Sequence, residues 1–205
     1  MLPAITIARQ YGSRGHEVGQ KLAERLGIPY YDKALIAMAA KQSGLSEEVF
    51  ADADERATSS LLYSMVMGSY AFGARVPGVN EMPINDKLFI IQSDIIKKAA
   101  AQGPCVVVGR CGDYILRERK NCLHVFIRAD KEQRIEQAVK SGDCEAKKAP
   151  DFVTKKDKQR ANYYNFYSNK RWDDLQNYDI TLSTSRFTID EAVDLIESAA
   201  RKLDR

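Results

Sequence analysis

The stretch Ile5-Thr6-Ile7-Ala8-Arg9-Gln10-Tyr11-Gly12-Ser13-Arg14-Gly15-His16-Glu17-Val18-Gly19-Gln20-Lys21-Leu22-Ala23-Glu24-Arg25-Leu26 decides how the chain is read. A β-branched run enters a turn holding Gly12 and Gly15. It leaves as a helix from about His16, with Val18, Leu22 and Leu26 on one face. Strand, glycine turn and helix N-terminus in that order make an anion site. Glycine takes the φ > 0 conformations that turn successive N–H groups into one concavity. The helix end adds about half a positive charge and several N–H donors without intrahelical partners.

A phosphate loop of the GxxxxGK[ST] type places a lysine on the β/γ-phosphates and a hydroxyl on magnesium. Here Gly12-Ser13-Arg14-Gly15-His16-Glu17 stands where such a loop reads Gly-Ser-Gly-Lys-Ser-Thr. The backbone cradle is kept, while the lysine and the hydroxyl are replaced. Arg9 and Arg14 flank the cradle and are the candidate sources of the missing charge. Glu17 conflicts with a phosphate, because a carboxylate ~4 Å away would repel it by about 4 kcal/mol per charge pair at an effective dielectric of about 20. Either Glu17 turns away and complements the helix dipole, or a magnesium ion lies between them.

The 205 residues suffice for one well-buried α/β core. A net charge of +3 with 44% hydrophobic residues does not by itself point to nucleic acid or a membrane. No apolar run approaches the ~18 residues of a membrane helix, and the N-terminus lacks a secretory pattern. Cys105, Cys111, Cys122 and Cys144 show no CxxC spacing, which disfavours zinc and fits free thiols in a reducing, cytoplasmic setting.

Strands and helices alternate along the chain. Strands are expected at 5–8, 28–31, 104–109, 122–127 and 178–182, the third as a continuous apolar run that suits a central parallel strand. Helices are expected from about His16, around Leu35, Ile36, Met38 and Ala39 up to Gly44, and again from Ser46. Further helices open at Asn85, with Leu88, Ile91, Ile95 and Ala99 on one face, and at the capping box Thr188-Ile189-Asp190-Glu191. Residues 68–83 are rich in glycine and proline and read as a long loop. The fold class is α/β, an open and mostly parallel five-stranded sheet with helices on both faces.

One segment departs from the average composition. Residues 147–171 carry six lysines and two arginines against Asp151 and Asp157, interleaved with Tyr163, Tyr164, Phe166 and Tyr167. A solvated helix face is the plain reading of such a run. A basic segment closing over a phosphate-rich ligand, or a stacking groove for single-stranded RNA, would explain both the charge and the aromatics. Arg110 follows the central strand, so it too lies at the carboxyl edge, where its fork suits phosphate. Asp32, at the end of the second strand, is either a helix N-cap or a ligand contact.

Four strings together resemble the cytidylate kinase-like family, distant relatives of nucleoside monophosphate kinases. They are residues 5–15, Pro29-Tyr30-Tyr31-Asp32-Lys33, Val108-Gly109-Arg110-Cys111-Gly112-Asp113, and Lys155-Lys156-Asp157-Lys158-Gln159-Arg160-Ala161-Asn162-Tyr163-Tyr164. The resemblance implies a P-loop NTPase-like kinase core over 1–32, 85–142 and 172–205, an acceptor-binding insertion over 33–84, and a basic lid over 143–171. It implies transfer of the ATP γ-phosphoryl, with Mg²⁺, to a nucleoside monophosphate such as CMP. Arg9, Gly12, Ser13, Arg14, Gly15 and His16 would hold phosphate, and Asp32, Gln92, Arg110 and Asp113 the acceptor. Lys155, Lys156, Asp157 and Arg160 would form the lid, and Arg110, Lys156 and Arg160 would be catalytic. No metal ligand is assigned, and a homo-oligomer remains open. The chain departs from true cytidylate kinases at Gly15, His16 and Glu17, and at Cys111 where an aspartate follows the arginine. A non-catalytic binder with a degenerate phosphate loop is therefore the alternative.

Overall fold

The computed structural model describes residues 2–32 and 84–203. The helices expected around Leu35–Ala39 and from Ser46, and the loop over 68–83, lie outside the described residues, as does nearly all of the expected insertion. Strands β1 (Ala4–Arg9), β2 (Tyr30–Tyr31), β3 (Val106–Val108), β4 (Cys122–Arg128) and β5 (Ile180–Ser183) form one sheet in the order β2-β3-β1-β4-β5. All four pairings are parallel, with Ile5 opposite Val106 and Leu123, and Thr6 opposite His124. The first strand therefore sits at the centre, where the direction of the connections reverses. The carboxyl ends of β1 and its neighbours open a crevice at such a point.

Among the described residues the helices are α1 (Gly15–Leu26), α2 (Ile84–Gln102), α3 (Gly112–Ile115), α4 (Lys131–Lys140), α5 (Ala149–Ser168) and α6 (Ile189–Lys202). Alternation along β1 divides the core. Ile5 and Ile7 pack with Val18 and Leu22 of α1 and Val193 and Ile196 of α6. Ala4 and Ala8 face Ile96 of α2, Tyr164 of α5 and Trp172. Each fully buried Ile, Leu or Val in these layers contributes roughly 1.5–3 kcal/mol of burial. Gly19 lets α1 approach the sheet, since a Cβ there would lie 2.7 Å from Val108 Cγ2.

The predicted capping box is present, with Thr188 and Glu191 each bonding the other's backbone N–H. The edge strands are shorter than expected. At the second, Pro29 has no N–H to donate, although its carbonyl accepts from Val106 N at 2.9 Å. At the fifth, a 3-10 turn at Leu175–Asn177 delays the strand. Asp179 bridges the gap, because its N–H donates to the His124 carbonyl and its carboxylate accepts the His124 N–H. The basic segment is mostly the single helix α5, whose buried side holds Ala149, Val153, Tyr164 and Ser168. Among the described residues no helix is long and apolar enough to cross a membrane.

Candidate phosphate site at the end of the first strand

The loop between β1 and α1 has the backbone of an anion cradle. Gly12 has φ 74° and Arg14 has φ 59°, so an arginine holds the left-handed conformation in which glycine is comfortable. The helix starts at Gly15 with no side-chain cap, so the first-turn N–H groups face the loop without a capping side chain. The loop is held by one internal hydrogen bond and by three from other segments. Ser13 is buried and its hydroxyl donates to the Gln10 carbonyl at 2.8 Å. Gln10 Oε1 accepts from Ala129 N, and the Thr184 hydroxyl donates to the Ser13 carbonyl at 2.9 Å. Asp157 of α5 accepts the Tyr11 N–H at 2.7 Å and is ion-paired with Arg134 of α4.

Arg9 leaves the end of β1 and curls over the loop. A Cβ on Gly15 would lie 2.6 Å from Arg9 Cβ, and the Arg9 guanidinium lies against Gly109, which has φ 80°. The stem of Arg9 thus occupies the space from which a lysine at position 15 would start. Burial, followed by repulsion from Arg160 and Arg110, pushes the Arg9 guanidinium down to about 9. Arg160 donates to the Arg9 carbonyl at 2.9 Å and lies over the Tyr11 ring, and its guanidinium is also lowered, first by burial. Arg110 lies over the Tyr163 ring at 5.7 Å, with backbone φ 56°. The repulsion among these guanidiniums is offset in part by Asp32 near Arg9 and by Asp157 near Arg160. A cavity of about 340 Å³ opens between Arg9, Gly12, Arg14, Gly15, Glu17 and Arg160, and Arg110 does not line it.

Several expected contributors are engaged with other side chains. Arg14 forks onto Glu17, at 2.8 Å from Nε and 2.6 Å from Nη2, and both are about half exposed. That pair resolves the Glu17 conflict by a route the sequence did not suggest, since Arg14 neutralises the carboxylate while both side chains line the cavity. The Asp113 carboxylate accepts the Tyr164 hydroxyl at 2.6 Å within the buried core, and burial raises its pKa. It therefore supports α3 against α5 and is not turned toward an acceptor. Lys155 is exposed, and the Lys156 ammonium lies over the Phe152 ring at 5.4 Å. Asp157 works as a staple between helix and loop.

His16 and Asp32 do meet, with Nε2 and Oδ2 2.9 Å apart, and the His16 ring stands edge-on to Tyr30. Buried Gln92 accepts from the Tyr163 hydroxyl at 3.2 Å, placing it behind the ring on which Arg110 lies. Sequence reasoning missed Gln10, Tyr11, Arg134 and Asp143. The Tyr11 hydroxyl is pushed up to about 12, by burial first and by its hydrogen bond to Asp143. Arg134 carried one usable signal. It sits four residues before Ala138 on the buried face of α4, where an apolar residue would be the default.

Magnesium held by protein asks for one or two carboxylates or a hydroxyl beside the phosphates. Among the described residues, each nearby carboxylate already has a cation or donor: Glu17 has Arg14, Asp157 has Arg134, Asp32 has His16, and Asp143 has Tyr11. The Ser13 hydroxyl is buried on Gln10. This donor set does not fit a protein-held magnesium ion.

A model of the cytidylate kinase-like family matches residues 4–186. A crystal structure of an uncharacterized protein from Eubacterium ventriosum ATCC 27560 is similar at 27% identity, with 97% of this chain and 98% of that chain covered and a TM-score of 0.72. Shikimate kinase from Bacteroides thetaiotaomicron is similar in fold at 10% identity, TM-score 0.57, covering 98% and 99%. A gluconokinase from Sinorhizobium meliloti 1021 is similar in fold at 13% identity, TM-score 0.52, covering 98% and 95%. Among curated proteins no sequence is significantly similar.

Proposed function

Because the chain belongs to the cytidylate kinase-like family, we propose that it is a nucleotide-dependent phosphotransferase that moves the ATP γ-phosphoryl onto a nucleoside monophosphate such as CMP. The observation that carries this reading is the cavity that Arg9 and Arg160 line with the Gly12–Gly15 loop at the uncapped N-terminus of α1, beside the central strand of a parallel sheet. Phosphoryl transfer is mostly positioning plus neutralisation of charge on the moving group. The first-turn N–H groups of α1 hold the donor phosphates, and Arg9 takes the place of the missing lysine from the strand side. Arg160, on the lid helix, leaves the Arg9 carbonyl for the donor phosphates. Arg110, resting on Tyr163, clamps the acceptor phosphate, with Asp32 and Gln92 on the acceptor side.

The test is an ADP-release assay with ATP and a panel of monophosphates including CMP and AMP, alongside titration calorimetry of each ligand. ADP release that depends on one monophosphate supports the reading. A second reading, a non-catalytic nucleotide binder, is favoured by the staple of Asp157 and Arg134 that already occupies the Tyr11 N–H. Tight nucleotide binding with no transfer to any monophosphate would select it.

A further inference from the structure

We infer that Asp143 reads the sugar hydroxyls of the donor nucleotide, so that the cavity beside the phosphate loop takes a ribonucleotide in preference to its deoxy forms. This rests on the phosphotransferase reading of that loop and adds a specificity-determining residue to it. The cavity has two unlike walls. One is the uncapped N-terminus of α1 with Arg9 and Arg160, which favours phosphate. The other is the C-terminal end of α4, where Gln137, Ser141 and Asp143 present polar groups.

Asp143 is held in place by the way α4 ends. Gly142 has φ 74°, its N–H donates to the Val139 carbonyl at 3.0 Å, and the Asp143 N–H reaches back to the Ala138 carbonyl at 3.1 Å. These two bonds are a Schellman closure, which fixes the residue that follows the left-handed glycine. A carboxylate is electrostatically misplaced there, because the last carbonyls of a helix favour cations. It is misplaced a second time in a cavity shared with a phosphate cradle. Glu17, the other carboxylate of the cavity, is paired with Arg14, whereas the partner of Asp143 among the described residues is the neutral Tyr11 hydroxyl. Breaches of a local rule gather where a ligand compensates them. A ligand with phosphates at α1 and hydroxyl donors at α4 satisfies both walls. The vicinal hydroxyls of ribose are such donors, and a carboxylate accepts them in charge-assisted bonds. The volume of about 340 Å³ lies at the lower end of the range for small-ligand sites, about 300–1,000 Å³, and suits the phosphates and sugar of one nucleotide.

The test is calorimetric titration of ATP, 2′-deoxy-ATP, 3′-deoxy-ATP and inorganic tripolyphosphate into the full chain, in one buffer containing magnesium chloride. The parent should bind ATP about tenfold or more tightly than at least one deoxy form, the scale of one charge-assisted hydrogen bond. Asp143→Ala should bring the three nucleotides within about twofold of one another. It should bind tripolyphosphate as tightly as the parent or more tightly, since a like charge has gone. Asp143→Asn, which keeps the size of the side chain, should narrow the same preference. Equal binding of ATP and both deoxy forms by the parent overturns the inference and leaves the kinase reading standing. A preference unchanged in both variants does the same, as does tripolyphosphate affinity lost in step with ATP affinity, the mark of a merely structural role. Tripolyphosphate bound with no binding of any nucleotide removes the nucleotide reading and the inference with it. No binding of any of the four ligands also removes both.

Discussion

The Cβ of Arg9 stands 2.6 Å from the point where a side chain on Gly15 would begin, with Ile127 Cβ only 3.1 Å away on the other side. The absent lysine and the arginine at the strand end are thus two sides of one packing decision. Whichever residue carries the stem, there is room for one.

Gly15→Lys, which would restore the phosphate-loop lysine in sequence, is therefore expected to destabilise the fold by about 1–3 kcal/mol, the usual cost of overpacking. Urea unfolding measures it. A variant as stable as the parent and more active would show that the Arg9 stem yields easily.

The pair of Arg134 and Asp157 is nearly buried, with side chains 10% and 18% exposed. Asp157→Leu leaves Arg134 uncompensated and should cost roughly 3–5 kcal/mol. The double variant Asp157→Leu/Arg134→Met should recover much of that loss. Equal destabilisation of the single and double variants, read by thermal melts, would mean the pair does not couple α4 and α5 to the loop.

Arg14 combines a left-handed backbone with an exposed ion pair. Arg14→Gly should remove about 1–2 kcal/mol of backbone strain and lose at most about 1 kcal/mol of surface pairing. Stability should hold or rise. Nucleotide affinity should nevertheless fall severalfold, because Glu17 then faces the phosphates unneutralised, and adding Glu17→Gln should restore it. Affinity unchanged in Arg14→Gly would mean that Glu17 does not reach the ligand.

Burial lowers the His124 pKa, and its Nδ1 lies 2.8 Å from the Thr6 hydroxyl. Between that lowered value and the unfolded value near 6.5, the unfolded chain binds more protons than the folded one, so stability rises with pH through that window. Acidification below about 6.5 should therefore cost stability that His124→Gln does not lose. Asp113 acts with the opposite sign at lower pH, since its raised pKa makes the folded state the better proton binder above the ordinary carboxylate value. Parallel pH–stability curves for the parent and His124→Gln would contradict the assignment to His124.

The legible part of this chain was written in neighbouring residues. The β-branched run of the first strand, helical spacing of Val18 and Leu22, the glycine turn and the Thr188–Glu191 box depend on local period and turn chemistry, so they read directly. The order β2-β3-β1-β4-β5 was not legible in neighbouring residues: the 104–109 run is expected to be the central strand, and the tertiary structure places β1 there with β3 beside it. The residues of the site did not read in this way. Arg9, Arg110, Arg134, Asp157 and Arg160 come together only because parallel crossovers return distant segments to one sheet edge. Local sequence could name Arg9 and Arg14 as equal candidates for the missing charge. Packing distinguishes their surroundings: the strand end lays Arg9 against Gly15 and Gly109, whereas Arg14, in a left-handed bend at the same cavity, pairs with Glu17.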